Sequence, residues 1–249
     1  MALVFFLYLS SPIFSQKIIS PQNHGWIMYF GNHKLNDHWG LHTEYQWRRA
    51  AGEETANVFK DWQQSLLRLG VDYYAKNQTQ FTLGYGWIKT FEYGDQPVSH
   101  NFNEHRIWQQ VIVKNKIGRV DIQHRYRLEQ RFIETYNLLP NDGFDKSCVF
   151  RNRIRYRFMV TVPLSRKELA DNTLFLTIYD EPFLGFGKGI GKNILDQNRL
   201  FGALGWRFNK DFNLQLGYLN QYIVKSDGIK AERNHTLQLG ITYNLDFSK

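Results

Sequence analysis

A single cysteine, Cys148, rules out an internal disulfide and a cage of cysteine thiolates around zinc. The chain also lacks any internal apolar run of about 18 residues, the length a helix needs to cross a bilayer. With a mean hydropathy of −0.48, a transmembrane helix is excluded. A transmembrane barrel is not, because its strands are apolar on one face only. Charge runs are missing too. The formal net charge is +8, but the arginines alternate with other residues instead of gathering in tails, so nucleic acid is not an expected partner. Nowhere does a helical period of apolar residues compete with a period of two.

What is present is a chain of 249 residues that is 43% hydrophobic and, at 16%, rich in aromatics. Its one continuous apolar run is the start, MALVFFLYLSSPIFSQ. Residues 1–16 are expected to be a signal peptide cleaved near Ser15 or Gln16, although no Lys or Arg precedes the run, and the alternative is a buried first strand. Residues 17–249 are expected to form a single domain.

Period-two alternation recurs throughout that domain. In CVFRNRIRYRFMV, Arg151, Arg153, Arg155 and Arg157 alternate with Asn152, Ile154, Tyr156 and Phe158. Successive side chains of an extended strand point to opposite faces, so the two sets separate completely. WGLHTEYQWRR sets Trp39, Leu41, Thr43, Tyr45 and Trp47 against His42, Glu44, Gln46 and Arg48, and QFTLGYGWIK sets Phe81, Leu83, Tyr85 and Trp87 against Thr82, Gly84 and Gly86. Such segments lie near 25–31, 39–49, 62–75, 80–91, 104–114, 119–133, 149–161, 173–183, 196–208, 212–223 and 234–247. The connections NHKLND, AKNQT, KNKIG and NKD are short, VPLSRKELADN is longer, and AAGEETANVFK, EYGDQPVSHNF, ETYNLLPNDGFDK and LGFGKGIGKN are long. Short turns at one end and long loops at the other are what outer-membrane barrels show. The expected fold is therefore all-β, an antiparallel transmembrane barrel of about 10–12 strands. Eleven is odd, so either the segment at 25–31 stands outside the wall or a strand is missing from the count.

Aromatics support the membrane reading. Tyr29, Phe30, Trp39, Tyr73, Phe81, Trp206, Phe208 and Phe212 lie beside short turns, while Trp47, Trp62, Trp87, Phe91, Phe102, Phe132, Phe150 and Tyr222 lie at the long-loop ends. Two such belts match the two headgroup levels of a bilayer. An Arg facing lipid at mid-depth costs about 2–4 kcal/mol, so the arginine faces must line the lumen. The expected lining is basic at Arg48, Arg68, Arg106, Arg125, Arg127, Arg131, Arg151, Arg153, Arg155, Arg157, Arg199 and Arg207. It is acidic at Glu44, Asp72, Glu104, Asp121, Glu129 and Glu181.

The segments EHRIWQQ (104–110), HRYRLEQRF (124–132), RIRYRF (153–158), IYDEPF (178–183), DQNRLFGALGWRF (196–208) and LQLGYLNQY (214–222) resemble domain of unknown function 2490, a family of predicted bacterial outer-membrane β-barrels. The resemblance spans nearly the whole mature chain and implies a barrel in the outer membrane. It carries over no catalytic residue, ligand or cofactor.

Three features invite chemistry. LGFGKGIGKN lacks the glycine that a phosphate loop places five residues before its Gly-Lys pair, so it reads as a flexible loop. His24, His33, His38 and His42 crowd one hairpin without a compact ligand spacing, and no metal site is assigned to them. If Val113 stands opposite Val120, Gln109 falls opposite His124 on the outer face, which implies a bulge or a lipid-facing catalytic or oligomer contact. The functional expectation is a barrel in contact with outer-membrane lipid, either plugged by its own salt bridges or passing small anions. A lipid-modifying enzyme is the alternative, and no cofactor or oligomeric state is assigned. The face assignment also makes two mutations unequal. Arg155→Gln removes one cation from a crowded basic wall and is expected to be tolerated, whereas Tyr156→Arg places a charge toward lipid at about 2–4 kcal/mol.

Overall fold

The computed structural model of the chain describes residues 17–52, 55–93, 100–139, 143–190 and 192–248. The expected signal peptide lies outside the described residues, as do the tips of several predicted loops and Gly191. Every described strand is long enough to carry the alternation seen in the sequence: β1 (Ile18–Lys34), β2 (Trp39–Ala50), β3 (Asp61–Ala75), β4 (Thr79–Thr90), β5 (Phe102–Ile117), β6 (Val120–Leu138), β7 (Phe144–Pro163), β8 (Thr173–Phe186), β9 (Leu195–Arg207), β10 (Phe212–Val224) and β11 (Lys230–Tyr243). Consecutive strands pair as antiparallel hairpins, and the sheet closes on itself through β1 and β11.

That closure settles the odd count. The segment at 25–31 belongs to the wall, and the eleven strands of the described residues close the barrel among themselves. With eleven strands the first and last run in the same direction, so the seam must be parallel. It pairs Ile18 with Lys230 at one end and Phe30 with Thr242 at the other, while the opposite edge of β1 pairs antiparallel with β2. Closure gives every strand a hydrogen-bonded neighbour on both sides within the barrel wall.

The register corrects two further expectations. The β5–β6 hairpin is tighter than Val113 opposite Val120: Ile117 faces Val120 across a turn at Gly118, whose φ of +57° suits glycine. Val113 therefore faces His124, Gln109 faces Leu128, and the ladder runs on without a bulge. The predicted long loop ETYNLLPNDGFDK is largely strand, because β6 and β7 continue pairing to Leu138 and Phe144. Thr135 and Ser147 share a hydroxyl hydrogen bond of 2.7 Å there, and Lys146 reaches Glu134 at 3.0 Å. Pairing with β5 stops at Ile133 and pairing with β8 stops at Asn152, so this hairpin rises above its neighbours as a two-stranded ribbon.

The two faces of the wall are inverted relative to a soluble protein. Leu69, Leu83, Leu200, Leu204 and Leu216 are at least half exposed, whereas Glu44, Arg68, Asp72, Glu129 and Glu181 are buried. Most belt aromatics point outward as expected, among them Trp39, Tyr73, Phe81, Trp206, Trp62, Trp87, Phe132 and Phe150. Phe30 and Phe102 do not. Phe30 packs inside against Trp26, Met28, Phe201, Ala203 and Leu219, and Phe102 lines an interior cavity. On the inner side of β3 and β4, Gly70 and Gly84 make room for the Trp108 indole. A Cβ on Gly84 would lie 2.5 Å from that ring and 2.4 Å from the Leu69 carbonyl oxygen.

The parallel seam is directly testable. Ile27 and Leu239 face each other across it, and neighbouring strands lie about 4.8 Å apart, within the Cα range a disulfide accepts. Cysteines at both positions in a Cys148→Ser background are expected to cross-link on oxidation, with a mobility shift reversed by reductant. Efficient cross-linking of Ile27→Cys to Leu216→Cys on β10 instead would contradict the closure.

Candidate functional site: the charged interior

Strands β2 to β8 turn their polar faces inward, and the interior is organised by carboxylates that each serve several arginines. Glu129 on β6 has no solvent exposure. It accepts from Arg153 at 2.6 Å and from Arg155 at 2.9 Å, with Arg68 at 3.4 Å and Arg106 at 3.8 Å. Most of these cations bridge onward. Arg155 reaches Glu181 at 2.8 Å, Arg68 reaches Glu44 at 2.6 Å, Arg106 reaches Glu104 at 2.6 Å, and Arg153 reaches Asp196 at 2.6 Å. Arg125 adds a second contact to Glu181 at 2.6 Å, and Arg131 a second to Glu104 at 2.6 Å. A buried carboxylate pays several kcal/mol in desolvation; sharing it among guanidiniums, each with several fixed donors, offsets that cost through charge-assisted hydrogen bonds.

The residues assigned inward from the sequence fall into two groups. Arg48, Arg68, Arg106, Arg125, Arg127, Arg153, Arg155 and Arg199 are buried, as are Glu44, Asp72, Glu104, Glu129 and Glu181. Arg131, Arg151, Arg157 and Arg207 are half-buried. Arg207 sits at the short-turn rim and donates to the backbone carbonyls of Leu169 and Asn209. Not every acid neutralises an arginine. Asp72 accepts from the Thr82 hydroxyl at 2.6 Å, and Asp121 is half-buried at the short-turn end beside the Gly118 turn.

Simple alternation misses two acids that count. Asp196 reaches Arg153 because the β8–β9 register shifts between Phe183 and Leu184. Glu232 lies beyond the predicted start of its strand, pairs with Lys225, and accepts from the Tyr93 hydroxyl at 3.5 Å. Burial and the Glu232 carboxylate push the Tyr93 phenol above its ordinary range. A second irregularity, at Arg48/Arg49, gives β3 an extra residue and turns both Gln63 and Gln64 inward. Gln63 accepts from the Trp26 indole at 2.7 Å and donates to His24 at 3.2 Å.

The histidines and the outer polar groups separate rather than converge. His33 bonds Thr43, His42 bonds Asn32, and His38 stacks on Tyr73. His124 bonds the Tyr156 hydroxyl at 2.8 Å, Gln109 donates to Gln130 at 3.2 Å, and the Ser65 hydroxyl pairs with that of Tyr45. The Ser65 hydroxyl and the His124 imidazole are thus engaged in different clusters.

Residues 23–233, from within β1 to the start of β11, match a protein family described as being of unknown function, DUF2490. The chain belongs to that family. No curated protein and no solved structure matches it. The DUF2490 match covers both the charged interior and the inverted wall, so these are features of the matched region and not of an appended segment.

The geometry revises the expectation that Arg155→Gln is tolerated. Arg155 bridges two buried carboxylates, and breaking a buried pair from one side costs about 3–5 kcal/mol. Arg157, whose hydrogen bond goes to the neutral Gln123 amide, is the residue whose replacement should be mild. Arg155→Gln and Glu129→Gln are expected to reduce the folded fraction sharply, and Arg157→Gln to leave it near the parent's. The unfolding midpoint in urea of each detergent-refolded variant checks this, and equal midpoints for Arg155→Gln and Arg157→Gln would refute it.

Proposed function

We propose that this chain is an integral outer-membrane β-barrel whose interior is closed by its own ion-pair network. The observation that carries the reading is the inversion of faces. A band of exposed Leu, Ile, Val and Phe circles the barrel, far larger than the few hundred Å² of contiguous apolar surface that soluble monomers tolerate, while the buried face is polar. Outward Trp and Tyr near both ends suit the two interfaces of a bilayer. A closed barrel satisfies its backbone groups without water, as a spanning structure must.

Closure of the interior is supported by the side chains of the described residues that cross it. One cavity of about 50 Å³ and another of about 150 Å³ meet at a layer containing Arg68, Arg155 and Arg199, which line both. Arg68 and Arg155 are held there by buried carboxylates, which supports a layer that obstructs ions between the two spaces. The sequence expectation of a plug is favoured over steady anion passage.

The protein is expected to fractionate with outer membranes and to migrate differently on gels before and after boiling. Planar bilayers should show no steady conductance. Recovery as a soluble monomer would remove the membrane reading. A large conductance would remove only the closed interior, and a cation preference in that current would reverse the assigned sign of the lining.

A further inference from the structure

We infer that the interior holds a binding site for a small oxyanion of the size of inorganic phosphate, formed by Arg48 and Arg199. Of the eight buried arginines, six meet carboxylates and these two do not. Arg48 is 5% exposed and donates to the neutral amides of Gln46 and, at 2.6 Å, Gln64. Arg199 is 8% exposed, and with the Gln197 amide turned over, the orientation that satisfies both of its ends, the amide oxygen accepts from Arg199 at 3.0 Å. Among the described residues no carboxylate ion pair reaches either. Both guanidiniums lie over the Trp26 ring, at 4.1 Å and 5.4 Å. A ring face attracts a cation by only about 2 kcal/mol even when dry, less than the several kcal/mol needed to strip a charge of water.

Two independent features place a ligand between them. Both arginines line the 150 Å³ cavity, room for a phosphate-sized ion but not for a lipid chain. Seven arginines and two carboxylates line the cavity, and five of those arginines, Arg68, Arg106, Arg131, Arg153 and Arg155, are ion-paired, which leaves Arg48 and Arg199 as its cations without a carboxylate. Both register irregularities of the barrel also deliver side chains to this cavity, Gln64 and Gln63 from one and Asp196 from the other. Bulges recur where a side chain must be re-aimed into a site. The amides of Gln63, Gln197 and Gln221 supply further neutral donors around the walls, and guanidinium forks match oxyanion geometry.

The test is titration calorimetry of the full chain, refolded in detergent, with inorganic phosphate at an ionic strength held constant with sodium chloride. Saturable one-site binding is expected. It should be lost in Arg48→Gln and in Arg199→Gln and retained in Arg207→Gln, at the opposite rim. Absence of saturable binding, an equal response to chloride alone, or full binding by both glutamine variants would overturn the site. Should a glutamine variant not refold, Arg48→Lys and Arg199→Lys keep the charge but lose the fork. They are expected to weaken binding by about tenfold, and unchanged affinity in both would equally overturn it. The site lies within the closed interior proposed above, yet the titration needs no membrane, so a soluble protein that bound phosphate would fail one reading and keep the other.

Discussion

A single buried carboxylate sets the terms for the rest of the barrel. Glu129 draws guanidiniums from β3, β5 and β7 toward one point. It can stay ionised without water only because they are there. Those cations in turn need Glu44, Glu104, Glu181 and Asp196, so the polar interior is one connected network rather than a set of separate bridges. Once that network fills the inside, the apolar half of every strand has nowhere to go but out. The inverted surface and the small interior cavities follow from the same constraint.

The network does not run evenly round the barrel. Charge crowds the arc from β2 to β9, whereas β1, β10 and β11 face inward chiefly with neutral groups: His24, Trp26, Met28, Leu219, Gln221, Asn234, Thr236 and Gln238. The parallel seam falls within this second arc. Joining the first strand to the last therefore desolvates mostly amides, hydroxyls and an apolar cluster. That is cheaper than bringing several ions together at the final step.

Much of this was legible from residue order alone. Alternation separated the arginine ladder of β7 from Ile154, Tyr156 and Phe158, and it located all eleven strands. It failed where the period itself breaks. At the two register shifts an extra residue turns inward, so Gln63 and Asp196 could not be assigned by counting twos. Phe30 and Phe102 were read outward because an aromatic near a rim resembles a belt residue, although each serves the interior. Side-chain pairing was the least visible level. Nothing in RIRYRF distinguishes Arg155, which bridges two carboxylates, from Arg157, which meets a neutral amide; that difference depends on the neighbours supplied by β6 and β8.

The odd strand number has a topological consequence. An even-stranded barrel returns the chain to the side from which it entered, so both ends can be held by one compartment. Here Ile18 starts at the end that carries the longer connections, and Tyr243 finishes at the end that carries the tight turns. The wall thus acts as a one-way passage for its own backbone: epitopes placed before β1 and after β11 would be displayed at opposite poles.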